Sequence, residues 1–313
     1  MAKKKPYRFF LYLAARIAGA FVAFLPRGLA LAMARVMGRL AYYGVSRQRN
    51  LTLSHLKVAY GSEKTQAEIE TIAKKVFENL AQNAVDFFQS RKFNAGNIEK
   101  VVDLGGADQI YRDLLNEGKG VISITAHLGN WELLAGVFGL KGFPGGVLAR
   151  RIYYDRYNDW VVGLRKRLNV PTIFREDSSR EILNRLKRGE VIGLLPDQDI
   201  DNLKGVFVEF FGRPAYTPVA PVRLALANGT PMVINFLVRI SGDRYRLIVS
   251  DVLRPRVEST RDEAIEKYTR IWMQQFEAVI RQYPEQWAWM HNRWKTQEAN
   301  MKFQTSHRAE NHD

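Results

Sequence analysis

Apolar residues recur along the chain with two different periods, and the change falls near residue 93. Up to about residue 92 the spacing is helical. Phe9 to Leu25 is apolar except for Arg16, and LALAMARVMGRLAYYG carries arginines at intervals along a second apolar stretch. IETIAKKVFENLAQNAVDFF then places apolar residues three and four apart, as one buried helix face requires. Thr65 followed by Glu68 predicts a capping box at its start. From about residue 100 short apolar runs take over: GVISITAH, GGVLAR, NVPTIF, EVIGLLP, VFVEFF, PMVINFLVR and YRLIVSDV. Helical patterns such as SREILNRLKRG and VAPVRLALANG lie between them. Strands alternating with helices predict an α/β fold, its mixed, largely parallel sheet flanked by helices. VINFLVRISGDRYRLIVS predicts a hairpin turning at Ser-Gly-Asp, and a long amphipathic helix from Arg261 to Gln282 closes the pattern.

Beyond Thr296 the chain is polar and aperiodic, the composition of a disordered tail. The division expected is therefore residues 1–92 as a helical, membrane-associated N-terminal region, 93–295 as one α/β catalytic domain, and 296–313 as tail. No internal repeat is visible, and no linker rich in Pro, Gly or Ser cuts the chain.

Composition narrows the chemistry. With no cysteine, disulfides, thiolate metal sites and thiol nucleophiles are excluded. A net charge of +15 points to acidic partners: nucleic acid, anionic lipid or an acidic protein. The first apolar stretch favours lipid. It is near the lower length limit of a membrane span, about 17 residues, and no small-residue cleavage pattern follows it, which argues against a removed signal peptide. Basic residues flank both sides, with Lys3, Lys4, Lys5 and Arg8 before it and Arg27, Arg35 and Arg39 after it. The positive-inside rule therefore does not favour threading it across a bilayer, and Arg16 snorkels more easily from an interfacial helix. Spanning and lying on the membrane stay open, and the second apolar stretch would extend the membrane-facing surface. A buried core helix is the plainer alternative.

The candidate chemistry centres on SITAHLGNWELL. His127 falls where the run VISITA ends, and ligands bind beyond the carboxyl ends of strands in open α/β sheets. Glu132 is five residues on. On one regular helix the two would lie about 140° apart, but Gly129 breaks that regularity. A turn at His-Leu-Gly and a helix beginning near Asn130 would bring the carboxylate back towards the imidazole, fixing its tautomer as a general base requires. Against this stands a histidine satisfied by backbone groups. Of the other histidines, His307 and His312 fall in the tail, His55 in a polar connection between helices, and His291 in the aromatic stretch WAWMHNRWK.

Several motifs in one order over roughly residues 8 to 295 extend the signal. HLGNWE resembles the His-x-x-x-x-Asp/Glu motif of glycerolipid-type acyltransferases, and more narrowly that of the bacterial lipid A biosynthesis (late) acyltransferases. RQRNLTLSHL, LLPDQDI, VFVEFFGRPAYTP, APVRLALANGTPMV and YPEQWAWMHNRWK are similar to that family's other blocks. The acidic member here is Glu132 rather than aspartate, a variation the family tolerates.

The resemblance implies acyl transfer from an acyl thioester to a lipid-linked sugar hydroxyl, at the inner membrane with the catalytic domain on the cytoplasmic face. The donor would be acyl carrier protein or acyl-CoA, and the acceptor a glycolipid. His127 would act as base without a covalent acyl-enzyme, which agrees with the absence of a G-x-S-x-G elbow. Glu132 would orient His127 or contact the acceptor, and Asp199 competes for the place beside His127. Arg150 and Arg165 are the expected positive donors for the oxyanion and the acceptor phosphates, with Arg151, Lys166 and Arg167 as neighbouring substitutes. Any one of these charges is also explained as a solvated helix face. Asn130 and Trp131 would shape the pocket at the turn, and Asp197 would lie on the same rim as His127. Phe207, Phe210 and Phe211 would line an acyl channel, with plain sheet core as the alternative for Phe207. A metal reading of His127, Glu132, Asp197 and Asp199 is possible, but this chemistry needs neither metal nor cofactor. WAWMHNRWK would pack beneath or beside the site, with His291 structural.

Two alternatives remain at this level. One is a different acceptor, a phosphatidylinositol mannoside or another glycolipid or lysophospholipid. The other is a non-catalytic basic nucleic-acid-binding protein. The latter leaves the N-terminal apolar stretch unexplained, and the sequence has no zinc-finger spacing or glycine-aromatic RNA motif. No nucleic-acid partner is therefore expected.

Overall fold

A computed structural model describes residues 7–175, 179–200 and 202–298. Lys3 to Lys5 and almost all of the expected tail lie outside the described residues. Four helices come first: α1 (Tyr7–Phe24), α2 (Arg27–Gly44), α3 (Ser46–Tyr60) and α4 (Gln66–Phe88). Thr65 and Glu68 cap α4 reciprocally. Then follow α5 (Ile98–Val101), β1 (Val102–Asp103), α6 (Ala107–Asn116), β2 (Val121–Ile124), α7 (Trp131–Leu140), β3 (Gly145–Ala149) and α8 (Asp155–Lys166). The chain continues through β4 (Thr172–Phe174), α9 (Ser179–Lys187), β5 (Val191–Leu194), β6 (Gly205–Phe210), β7 (Arg213–Pro218) and α10 (Ala220–Asn228). It closes with β8 (Met232–Ser241), β9 (Arg244–Leu253) and α11 (Arg261–Gln282).

Seven strands form one mixed sheet in the order β1-β9-β8-β2-β5-β3-β4. Its central run, β8-β2-β5-β3-β4, is parallel, and the antiparallel β8–β9 pair reverses the edge. That pair is the expected hairpin, with Gly242 and Asp243 between the Ser241–Arg244 pair. Alternation sorts the faces. On β2, Ile122 and Ile124 join Ile192, Leu194, Phe236, Trp272 and Phe276 on the side of α9, α10 and α11. Val121 joins Tyr111, Leu134, Val137 and Phe138 on the side of α6 and α7. Both faces are thus covered, as a parallel sheet requires.

β6 and β7 stand apart as a two-stranded hairpin rather than extending the sheet. Phe211 and Gly212 make its turn with φ of 52° and 67°, both left-handed, which matches a tight turn to the twist of its strands. The N-terminal helices share the main core: Tyr42, Leu56, Tyr60, Ile69 and Phe77 pack in the same cluster as the sheet residues. His55 belongs there too. It lies within α3, 6% exposed, not in a polar connection, and its Nδ1–H donates to the Trp289 carbonyl at 2.8 Å. By contrast α1 buries only Gly19, and Phe10, Leu11, Leu13, Ile17, Phe21 and Phe24 are exposed. Leu29, Met33, Val36, Met37, Leu40 and Tyr43 on α2 are exposed as well. α1 is the one helix among the described residues long and apolar enough to cross a membrane.

Candidate active site

The carboxyl ends of β2, β3 and β5 point to one rim, and a cavity of ≈ 320 Å³ opens there. His127 follows β2, Arg150 follows β3, and Pro196 and Gln198 follow β5. Trp131 and Glu132 reach the cavity from the first turn of α7, Arg165 from the end of α8, and Pro218, Ala220 and Pro221 close another wall.

Local backbone chemistry makes the turn that presents His127. Gly129 has φ of 60°, and a Cβ there would stand 2.0 Å from the Leu237 carbonyl oxygen of β8. Only glycine permits both. Asn130 then caps α7, its Oδ1 accepting from the Leu133 amide at 3.0 Å. Asn130 is 1% exposed, and its Nδ2 donates to Asp86 and Tyr245. It therefore holds the turn from behind and does not line the pocket, correcting that expectation. Asp86 ties the turn further back, to Arg27 at 2.8 Å and to Arg239 at 3.4 Å.

The partner of His127 is Asp197. The ring Nδ1 lies 2.7 Å from Oδ1, and the His127 backbone amide donates to Oδ2 at 2.8 Å. Trp287 Nε1 donates to Oδ2 at 2.9 Å. Burial pushes the Asp197 carboxyl up. The His127 charge and the hydrogen bonds from His127 and Trp287 outweigh that and hold it well below the usual carboxylate range. A carboxylate can only accept, so Nδ1 carries a proton, and when the ring is neutral Nε2 is the acceptor. The Gln198 amide nitrogen sits 3.2 Å from Nε2 of His127 and 3.2 Å from Nε2 of His291. The two imidazoles lie 5.0 Å apart, centre to centre. Burial, and then the neighbouring His127 charge, lower the His291 pKa, which favours the neutral ring. Trp131 packs its edge against His127 at 5.1 Å.

Neither carboxylate expected beside His127 is there. Glu132 takes a two-pronged ion pair with Arg165, Oε2 to Nε at 2.8 Å and Oε1 to Nη2 at 2.6 Å. Glu132, on the first turn of α7, thus points to α8 rather than to the imidazole. Burial opposes the Arg165 charge, and Glu132 outweighs it and raises its pKa. Asp199 is two residues further than Asp197 and turns to the other side of the loop, where it accepts from the Thr296 amide and hydroxyl. Of the four candidate metal ligands only His127 and Asp197 meet, while Glu132 goes to Arg165 and Asp199 to Thr296. Phe210 is a further correction: 1% exposed, it packs on Phe211, Trp287 and Trp294 and does not line either of the cavities at the rim.

Arg150 is exposed on the cavity wall. Arg151 instead lies over the Phe174 ring. The aromatic stretch near the C-terminus supports the floor, with Trp287 on Asp197 and Arg293 fully buried, donating to the Tyr216 carbonyl and the Thr217 hydroxyl. A second, apolar cavity shares Trp131, Ala135, Val147 and Leu195 with the first. Leu134, Phe138, Val170, Val191 and Gly193 extend it towards the sheet.

Fold and site together define an α/β protein with a buried carboxylate–histidine pair on the open rim of its sheet. The chain belongs to the bacterial lipid A biosynthesis acyltransferase family, whose model matches residues 2–296. It is similar to the lipid A biosynthesis lauroyltransferase of Escherichia coli (strain K12), 27% identical over 265 residues and 83% of each chain. The lipid A biosynthesis palmitoleoyltransferase of the same organism is 22% identical, again over 83% of each chain. A phosphatidylinositol mannoside acyltransferase of Mycolicibacterium smegmatis is 25% identical over 214 residues, 66% of this chain and 67% of its own. The protein is thus an acyltransferase, and the non-catalytic alternative is set aside.

Proposed function

We propose that this protein transfers a fatty acyl chain from an acyl thioester, carried by acyl carrier protein or coenzyme A, to a hydroxyl of a lipid A precursor or related glycolipid. The observation that carries the reading is the His127–Asp197 pair on the cavity wall. With Nδ1–H held by Asp197, Nε2 takes the proton of the acceptor hydroxyl. The oxygen attacks the thioester carbonyl, the C–S bond breaks, and the departing thiolate takes the proton back from the imidazolium. Asp197 favours the imidazolium formed midway. Arg165, aimed by Glu132, and Arg150 stabilise negative charge, either on the tetrahedral oxygen or on acceptor phosphates. The apolar cavity beside Trp131 takes the acyl chain.

Membrane attachment belongs to the same reading. The exposed apolar faces of α1 and α2 are too large for water alone. Contacts with the polar helix α8 favour a helix that lies on the bilayer over one that threads it: Tyr12 packs on Tyr154, Tyr157 and Trp160, and Arg156 lies over Phe9. α1 would lie along the cytoplasmic surface of the inner membrane. A mannoside acceptor is the second reading, favoured by the mycobacterial relative, and mass spectrometry of the glycolipid products separates the two. The test of the mechanism is His127→Ala. The variant is expected to fold, with unchanged circular dichroism and melting, and to lose about 10²- to 10⁴-fold in transfer rate. Full activity in a folded His127→Ala protein overturns the reading.

A further inference from the structure

A cavity of ≈ 240 Å³ opens between α1, the end of α4 and the face of α8 that carries Trp160 and Leu164. Four cations line it: Arg16 from α1, Arg91 and Lys92 just beyond α4, and Arg167 at the end of α8. No aspartate or glutamate does. Cations often sit at helix carboxyl ends, where they complement the dipole. That accounts for Lys92, whose Nζ donates to the Leu25 carbonyl just past α1, and for the position of Arg167. It does not account for Arg16, in the body of α1, where its guanidinium lies over Trp160 at 5.5 Å. Arg91 shares the carboxyl-terminal position of Lys92, in the single turn that follows α4. Like charges gathered without a counter-charge repel. Burial, and then the charges of Arg91 and Arg16, hold the Arg167 guanidinium below its ordinary value. Gln89 adds an acceptor: it lines the cavity and is fully buried, and its Oε1 has no partner among the described residues. Phe24, 87% exposed, stands at the mouth, where the apolar face of α1 begins.

We propose that this cavity binds the phosphate group of an anionic membrane lipid, with Arg16, Arg91 and Arg167 as its donors. Guanidinium forks suit phosphate. Gln89 accepts from a hydroxyl beside the phosphate, and the lipid tails continue along Ile17, Phe21 and Phe24. The inference rests on the membrane-docking reading above and adds a place where one head group is held. It also lies on a different face of α8 from Arg165, so the lipid bound here is not the reacting acceptor.

The test is sedimentation of the full-length protein with vesicles of phosphatidylcholine alone or mixed with phosphatidylglycerol. Wild type is expected to bind both, with a preference of tenfold or more for the anionic vesicles. The R16Q/R91Q/R167Q variant should keep phosphatidylcholine binding and lose most of that preference. A charge-matched R213Q/R223Q/R261Q variant should retain it. Equal loss in the two variants means diffuse attraction and overturns the site. Binding of wild type without preference overturns the site while leaving membrane docking standing, and no binding to any vesicle overturns the docking reading itself. Millimolar inorganic phosphate, against chloride of equal ionic strength, separates the two sources of the anion. Wild type released to the level of the triple variant makes the site one for free phosphate and overturns the lipid assignment, whereas retention supports it.

Discussion

At the residue scale, the site turns on which carboxylate meets His127. Alternation along a strand could not decide this from sequence, because Asp197 and Asp199 have the same parity beyond β5 and Pro196 ends the regular pleat. Three contacts settle it: the His127 ring, the His127 amide and the Trp287 indole all converge on Asp197. Gln198 escaped notice, and His291 was read as structural, for a related reason, since their meeting depends on how two loops fold over the rim. Asp197→Asn removes the carboxylate that favours the imidazolium and unsettles the tautomer. We expect kcat to fall by about 10²-fold or more with KM little changed. A kcat that holds while the melting temperature falls would mean that Asp197 only supports the fold. Arg165 gives a separable case. Lysine keeps its charge but cannot form the two-pronged contact with Glu132. Arg165→Lys should cost tenfold or more in kcat/KM, about 1.4 kcal/mol of transition-state stabilisation, and wild-type kinetics would show that charge alone suffices.

At the element scale, hydrophobic period carried most of the reading. α11 was legible because both ends are marked, Thr260 capping it and Gln282 closing a continuous apolar stripe. The β8–β9 hairpin was legible from its turn residues. The independence of β6 and β7 was not, since a strand's pattern says nothing about which neighbour it pairs with. The turn between β2 and α7 lies between these cases. Gly129 marked a break, but its direction is set by β8, against which the glycine lies too close for any side chain. Gly142 is a fitting control, with φ of 80° and no atom within 4 Å of the place a Cβ would take. Gly142→Ala should cost only the left-handed backbone penalty, about 1–2 kcal/mol. Gly129→Ala meets that penalty and a backbone oxygen together, so a loss beyond about 4 kcal/mol is expected in denaturant unfolding. Activity should fall with it, because Asn130 donates its amide to the same Leu237 carbonyl. Similar losses at the two glycines would show that the close approach to β8 is not what shapes the turn.

At the scale of the whole molecule, a net charge of +15 and an apolar first helix point to lipid from the sequence alone. What the chain could not reveal was that α2, α3 and α4 share the core of the sheet while α1 lies outside it. Burial of single groups within that core decides how the molecule answers to acid. Burial lowers the His55 pKa below the ordinary 6.5, and burial followed by the His127 charge does the same for His291. Between each folded value and 6.5 the unfolded chain binds more protons than the native one. Stability is therefore complete above that window and falls as pH drops through it. Asp197 acts in the same sense at lower pH, because its depressed folded value leaves the unfolded carboxylate the better proton acceptor. No compensating trend comes from these three groups, so Tm should decline steadily from pH 7 to pH 5. Growing positive charge pushes the same way, and substitution separates the two causes. A His55→Gln/His291→Gln protein keeps the excess charge but loses both titrations, so its decline over that interval should be clearly shallower than wild type. Parallel declines would assign the acid sensitivity to net charge, and a Tm that rises towards pH 5 would contradict the neutral burial of both rings.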